Sequence, residues 1–191
     1  MSLPSFASPV SIALRASLSL LSAVVAFLLS ASTTAAEAFD YWASENYSPA
    51  IPRVDEVLGY EAGTEISRHG AVLDYFQALA LAAPDQVKVV EYARSWQGRA
   101  LIYVLIGSPA TMARLDSVQS GMQALADPRT LDADAAEALI AQQPAVTWLS
   151  YGVHGNEISS TDAAMLTAYH LLASDSEQVQ KILSESLVVI D

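Results

Sequence analysis

The chain has 191 residues, of which 52% are hydrophobic and 16% are charged, a composition too apolar for a disordered protein. Its 9 Lys and Arg residues stand against 21 Asp and Glu residues, and the resulting net charge of −12 disfavours binding to nucleic acid. The absence of cysteine excludes disulfides, thiolate zinc sites and a cysteine nucleophile.

The first 38 residues have the order of a secretory signal peptide. The positively charged Arg15 is followed by the apolar run ASLSLLSAVVAFLL and then by small residues that end in Ala36-Glu37-Ala38. We expect cleavage after Ala38, with Ala36 as the alternative. The apolar run is shorter than the ~20 residues that a membrane span needs, so an uncleaved membrane anchor is disfavoured. These features predict an exported protein, periplasmic or extracellular, whose mature part is residues 39–191, with no stable membrane anchor after cleavage.

Predicted strands alternate with predicted helices along the mature part, which assigns it to the α/β class. The continuous apolar run LIYVLI is typical of a strand buried on both faces, and Gly98 permits the turn of an antiparallel hairpin with the strand before it. A helix is expected to begin near Ser159, because Ser159 and Asp162 have the spacing of a capping box. In chain order we expect an irregular arm over residues 39–63, a helix over 66–82, strands over 87–94 and 101–106, helices over 108–126 and 132–142, a strand over 145–151, a helix over 159–173 and a strand over 187–191.

The segment YGVHGNE lies between the third predicted strand and the helix that follows it. In open α/β sheets, binding sites form in the loops at the carboxyl ends of strands. His154 and Glu157 are close enough in sequence for both side chains to point to one side of a turn, and their imidazole nitrogen and carboxylate oxygen suit Zn²⁺. A catalytic zinc takes three protein ligands, of which this motif supplies two. The alternative is a surface loop whose Glu interacts with the helix dipole.

A resemblance to a known family extends over roughly residues 51–191. Residues 151–172, YGVHGNEISSTDAAMLTAYHLL, resemble the first metal-ligand segment of the zinc carboxypeptidases of the carboxypeptidase A type, peptidase family M14. Residues 95–99 are similar to the S-x-E-G-R hairpin of that family, with Gln97 in place of the commoner Glu. The lead-in that begins at Val57 also matches bacterial members. The resemblance implies a mixed β-sheet flanked by helices in an α/β/α fold, of which this chain is expected to hold only the N-terminal part.

By this resemblance, His154 and Glu157 match the first two zinc ligands of the family, and Zn²⁺ is the implied cofactor. Asn156 occupies a position where the family often has an Arg that contacts substrate. The third ligand, a His, and the general-base Glu come later in family members, and we expect both beyond Asp191. The implied function is an exported zinc metallocarboxypeptidase that hydrolyses peptide bonds at the C-terminus of a peptide or protein through a zinc-activated water, with this chain as an inactive N-terminal part.

Two other functions are compatible with the same residues. A zinc-dependent N-acyl amino acid deacylase of the aspartoacylase type also carries H-G-N-E, although the upstream hairpin and the export signal argue against it. A non-catalytic exported domain that binds a peptide or protein partner would carry a degenerate site. We expect packing or surface roles for His69 and His170, and Ser150, Ser159 and Ser160 lack the G-x-S-x-G elbow of a serine hydrolase.

Overall fold

The computed structural model describes residues 41–42, 45–127, 129 and 131–191. Every helix and strand of these residues lies in the second of two compact units, Ser44–Asp191. The first unit, Met1–Ala43, contains the predicted signal peptide and its cleavage site, which lie outside the described residues. Within the described part of the chain, no helix combines the length and the apolar character that crossing a membrane requires.

Four strands form one mixed sheet in the order β1-β2-β4-β3. β1 (Val87–Arg94) and β2 (Ala100–Ile106) pair antiparallel. β2 also pairs antiparallel with β4 (Ser186–Ile190), and β4 pairs parallel with β3 (Ala145–Leu149). The predicted hairpin is confirmed, and Gly98 lies in its turn at φ +75°, a conformation that glycine adopts without the steric cost of a Cβ atom.

Helices flank this sheet, as the α/β pattern predicts. In the described residues they are α1 (Val54–Leu58), α2 (His69–Ala82), α3 (Pro109–Met112), α4 (Leu115–Ala126), α5 (Ala133–Ile140), α6 (Ile158–Ala173) and α7 (Glu177–Glu185). Several begin at side-chain caps, which satisfy backbone N–H groups that have no partner inside the helix. The Asp132 carboxylate accepts a hydrogen bond from the Ala135 N–H at 2.8 Å, and Ser108 Oγ accepts one from the Thr111 N–H at 3.2 Å.

Two helices lie where the sequence predicts none. α1 falls inside the arm that was expected to be irregular. The side chain of Glu56 accepts a hydrogen bond from the Arg53 N–H at 2.8 Å, which closes its first turn. α7 falls in the gap before the last strand and buries Val179 and Leu183. Both helices are short, and α7 is largely polar, so neither gives the long apolar period that identifies a helix in sequence.

The predicted helix over residues 108–126 is divided into α3 and α4. Arg114 interrupts it with φ −116° and ψ 22°, which is outside the helical region. The Arg114 Nη1 group donates a hydrogen bond to the carbonyl of Gln142, just beyond α5, at 2.8 Å. This long-range contact accompanies the break and has no signal in the local sequence.

The main hydrophobic core lies against one face of the sheet. Alternate residues of paired strands point to the same face, and the register places Val104 opposite Ile190 and Ile106 opposite Val188. All four side chains are buried in one cluster with residues of α2, α6 and α7. The helical members of this cluster include Tyr75, Phe76, Leu79, Met165, Ala168, Leu172, Val179 and Leu183.

The expectation that β2 is buried on both faces is wrong. Within β2, Val104 and Ile106 are the buried residues, whereas Leu101 on the alternate face is 37% exposed. That second face carries a row of aromatic rings, in which the Tyr103 centroid lies 5.8 Å from that of Tyr92 and 6.0 Å from that of Trp148. β2 has antiparallel neighbours on both sides, and antiparallel sheets can leave one face partly open to water.

The arm before α1 is fastened to the C-terminal end of α6. The Ser48 N–H donates a hydrogen bond to the Ala173 carbonyl at 2.7 Å, and the Tyr47 hydroxyl lies 3.0 Å from Nδ1 of His170. His170 is half-buried, which agrees with the expected packing role. Burial lowers the pKa of His170 below its ordinary value of 6.5, and the nearby Glu45 carboxylate opposes this shift.

The contrast between two leucines of α2 tests the position of the core. Leu79 is 0% exposed and Leu81 is 83% exposed. We expect Leu79→Ala to lower the free energy of unfolding by about 2–5 kcal/mol, because it leaves a cavity, and Leu81→Ala to change it by less than about 0.5 kcal/mol. Urea unfolding followed by circular dichroism measures both. Equal effects of the two substitutions would contradict this assignment of the core.

The depressed pKa of His170 predicts a pH dependence of stability. Because the unfolded chain binds the proton more tightly than the folded one, this group lowers stability as the pH falls through about 6.5 and below. We expect the free energy of unfolding to fall between pH 7.5 and pH 5.5 more steeply in the wild type than in His170→Gln. The other histidines are common to both proteins, so the difference between the two slopes isolates His170. Parallel slopes would count against the shift.

Candidate functional site

The loop that carries the predicted metal ligands begins at a fixed point at the carboxyl end of β3. The Asp191 N–H donates a hydrogen bond to the Leu149 carbonyl at 3.0 Å, and the Tyr151 N–H donates to the Asp191 carbonyl at 2.7 Å. These two hydrogen bonds continue the parallel pairing of β3 with β4 past the end of both strands. The Tyr151 hydroxyl lies 3.0 Å from Thr167 Oγ1, which joins the start of the loop to α6.

The loop then turns sharply at two places before it enters α6. Gly152 has φ +68°, and its N–H donates a hydrogen bond to Ser160 Oγ at 2.8 Å. Further along, the Glu157 N–H donates to the His154 carbonyl at 2.9 Å. This second turn brings His154 and Glu157 to the wall of one cleft.

The predicted capping box at the start of α6 is wrong. The helix begins at Ile158 with Glu157 as the residue before its first turn, and no side chain caps it. Ser159 therefore already lies inside the helix. Asp162, the other member of the predicted pair, is a buried residue of α6. The Ser160 hydroxyl, rather than that of Ser159, contacts the loop, because its Oγ accepts a hydrogen bond from the Gly152 N–H.

The cleft beside His154 and Glu157 has a volume of about 580 Å³. Both of these side chains are exposed. The other walls of the cleft come from distant parts of the chain. They are residues 66–70, where α2 begins, and Arg99 in the β1–β2 hairpin. Asn156, at the position where the family often has Arg, is exposed and does not line this cleft.

His69 connects two of these walls. Its Nε2 atom lies 2.7 Å from the Ala100 carbonyl oxygen, and a carbonyl oxygen only accepts, so Nε2 carries the proton and donates. The first residue of α2 is thus tied to the first residue of β2. The expected packing role of His69 agrees with this bond. Its position in the cleft with His154 and Glu157 has no signal in the sequence.

Two further cleft residues were missed from sequence, Arg68 and Arg99. The one signal for either was the presence of Arg99 in the SWQGR hairpin. A second cleft of about 500 Å³ shares Ser67, His69, Gly152 and Thr161 with the first. Its remaining lining is mainly apolar and includes Val72, Leu73, Phe76, Leu101, Ile102 and Ala164.

The donor chemistry of the loop fits Zn²⁺ in part. A neutral imidazole nitrogen and a carboxylate oxygen are common zinc ligands, and both His154 and Glu157 face one cleft from a short turn. Across the residues that the structure describes, no group of three or more His, Cys, Asp or Glu side chains is arranged to hold a metal ion. The described residues thus offer two candidate ligands, and a closed or catalytic zinc site needs at least one more.

The crystal structure of the carboxypeptidase A from Helicoverpa armigera is similar to the chain, with 19% sequence identity and a TM-score of 0.44. The alignment covers 72% of this chain and 29% of that enzyme, so the chain spans less than a third of the enzyme's length. A search of curated proteins finds no match.

The family comparison covers the hairpin, the loop and α6 together. The family described as Peptidase M14, zinc carboxypeptidase, matches residues 72–190, which is more than half of the chain. This match confirms the resemblance drawn from the YGVHGNE loop and the SWQGR hairpin. The chain belongs to the zinc carboxypeptidase family.

Proposed function

We propose that the protein containing this chain is an exported zinc metallocarboxypeptidase that acts on the C-terminal ends of peptides or proteins. One observation carries the proposal. Within the region that matches the zinc carboxypeptidase family, the loop after β3 presents an imidazole and a carboxylate, those of His154 and Glu157, to a single cleft.

In this proposal His154 and Glu157 hold the metal ion. Zn²⁺, when bound, polarises a scissile carbonyl and lowers the pKa of a bound water towards about 7. The chain's own residues contribute the placement of the two ligands. Glu157 lies at the N-terminal end of α6, where the helix dipole favours a negative charge. The hydrogen bond from the Glu157 N–H to the His154 carbonyl fixes the turn between them.

The remaining catalytic groups are proposed to lie beyond Asp191. Two candidate ligands do not complete a zinc site, and the described residues show no third one near them. We therefore propose that residues 39–191 alone do not hydrolyse peptides. The deacylase and the non-catalytic binding domain are the competing functions, and the assays below separate them from the peptidase.

The ligand assignment predicts the effect of three substitutions in the protein that contains this chain. We expect His154→Ala and Glu157→Gln each to weaken zinc binding by at least about 100-fold, because even residues that only support zinc ligands can change metal affinity by 10–100-fold. Hydrolysis of peptides from the C-terminus should fall in parallel. Ser159→Ala, an exposed position next to the loop, should leave both unchanged. Zinc content measured by mass spectrometry and release of C-terminal amino acids are the two readouts.

Each competing result has a distinct meaning. Unchanged zinc content in His154→Ala would refute the ligand assignment. Zinc-dependent hydrolysis of N-acyl amino acids without hydrolysis of peptides would support the deacylase. Peptide binding with neither activity would support the non-catalytic domain.

The two loop glycines provide a matched test of the loop geometry. Gly152 has φ +68°, and a Cβ there would lie 3.4 Å from Thr161 Oγ1, whereas a Cβ at Gly155 meets nothing within 4 Å. We expect Gly152→Ala to cost about 1–2 kcal/mol of stability, since a left-handed conformation is strained for alanine. It should also weaken zinc binding, because relief of that strain displaces the loop. Gly155→Ala should change stability by less than about 0.5 kcal/mol. Urea unfolding measures the stability of each variant, and zinc titration measures its metal affinity. Equal stabilities and equal zinc affinities of Gly152→Ala and Gly155→Ala would contradict this prediction.

A further inference from the structure

Two hydroxyl groups of α6 hold the start of the loop that carries the candidate zinc ligands. Ser160 Oγ accepts a hydrogen bond from the Gly152 N–H at 2.8 Å, and Thr167 Oγ1 lies 3.0 Å from the Tyr151 hydroxyl. Ser160 and Thr167 lie about two helical turns apart, so they share one side of α6. The start of the loop is therefore attached along that side of the helix.

Ser160 also contacts the other end of the same loop. Its backbone N–H donates a hydrogen bond to the Glu157 carbonyl at 3.2 Å, while its side chain accepts the bond from Gly152. Glu157 directly precedes the first residue of α6. One residue thus joins the two ends of the segment that contains His154, and closes this segment into a loop on the N-terminal end of the helix.

The middle of this loop has little other support. Residues 153–156 are exposed. Among the residues that the structure describes, one hydrogen bond involves this segment, from the Glu157 N–H to the His154 carbonyl at 2.9 Å. Because neither packing nor a network of hydrogen bonds fixes these residues, the position of His154 depends on how the two ends of the loop are held.

The Ser160 hydroxyl links the two elements that each hold one end of the loop. The Tyr151 N–H donates to the Asp191 carbonyl at 2.7 Å, so the residue before Gly152 is fixed to the sheet, whereas Glu157 is fixed to α6. A metal ion held by two side chains requires a constant distance between them, and binding costs less free energy when that distance is set beforehand. The bond between Ser160 and Gly152 restricts this distance by fastening the sheet-bound end of the loop to the helix.

We propose that Ser160 is a positioning residue of the candidate metal site, which acts through the backbone of Gly152 and of Glu157 to hold His154 beside Glu157. Ser160 does not line the cleft, so this role involves no direct contact with the metal ion. The inference rests on the proposed function for the identity of the zinc ligands. It adds a residue that lies outside the YGVHGNE segment and that the spacing of the two ligands does not reveal.

Zinc affinity tests the role of the hydroxyl in the protein that contains this chain. We expect Ser160→Ala to weaken zinc binding about tenfold, the lower end of the effect of residues that orient zinc ligands. Ser160→Thr keeps a hydroxyl at the same position and should restore most of the affinity. Ser159→Ala makes the same change at the neighbouring, exposed position and should leave the affinity unchanged. Competition for zinc with a chelator of known affinity measures all three variants.

The visible absorption of bound Co²⁺ separates positioning from a general loss of stability, because this absorption reports the geometry of the metal ligands. At saturating Co²⁺, we expect the spectrum of Ser160→Ala to differ from that of the wild type, and the spectrum of Ser160→Thr to match the wild type. Val179→Ala truncates a buried side chain of α7, so it lowers stability and should leave the spectrum unchanged.

The outcomes distinguish this role from the proposed function. Equal zinc affinities of the wild type and Ser160→Ala would overturn the positioning role, and so would an affinity of Ser160→Thr as low as that of Ser160→Ala. A spectral change in Val179→Ala as large as that in Ser160→Ala would also overturn it. If zinc binding depends on Ser160 but the protein releases no C-terminal amino acids from peptides, the positioning role stands and the proposed peptidase function fails. A wild type that binds no zinc would refute both.

Discussion

The location of the candidate site depends on the packing of α6 against the sheet. Met165 and Ala168 in the middle of this helix are buried in the main core, so α6 cannot shift along its axis without opening that core. Glu157 directly precedes the first residue of α6, and its backbone position is fixed by the same packing. The other end of the loop is held by the hydrogen bond between the Tyr151 N–H and the Asp191 carbonyl. A short segment between two fixed points has little freedom, and it carries His154.

The opposite side of the cleft is built by a different set of contacts. The β1–β2 hairpin and the start of α2 meet through the hydrogen bond from His69 to Ala100, and α2 is anchored by Tyr75 and Leu79 in the core. The core therefore supports both the wall with the candidate zinc ligands and the wall with the arginines. An acidic protein acquires a locally basic cleft in this way, because the fold gathers cations that are scattered in the sequence.

The sequence predicts best what is decided locally. The α/β class and the hairpin with Gly98 at its turn follow from periodicity and turn chemistry, and the structure contains both. The short spacing of His154 and Glu157 predicts that both can point to one side of a turn, and the structure places both along one cleft. That these two residues bind zinc is still a prediction. Features decided by distant contacts were missed. The break at Arg114 accompanies a bond to Gln142, and Arg68 reaches the cleft only through the packing of α2. The predicted capping box at Ser159 is wrong because α6 begins one residue earlier, at Ile158. The neighbouring Ser160 hydroxyl instead accepts a hydrogen bond from the Gly152 N–H of the loop.

The partly open face of the sheet gives the protein an internal optical probe. Trp148 on β3 is 54% exposed, and its ring centroid lies 6.0 Å from that of Tyr103 on β2, with β4 between these two strands. A tyrosine this close to a tryptophan passes its excitation energy to it efficiently. The part of the tryptophan emission that passes from Tyr103 to Trp148 therefore depends on β2 and β3 being held together by β4. In a variant that keeps Trp148 as its single tryptophan, assembly of the sheet can be followed by this emission without attaching a label.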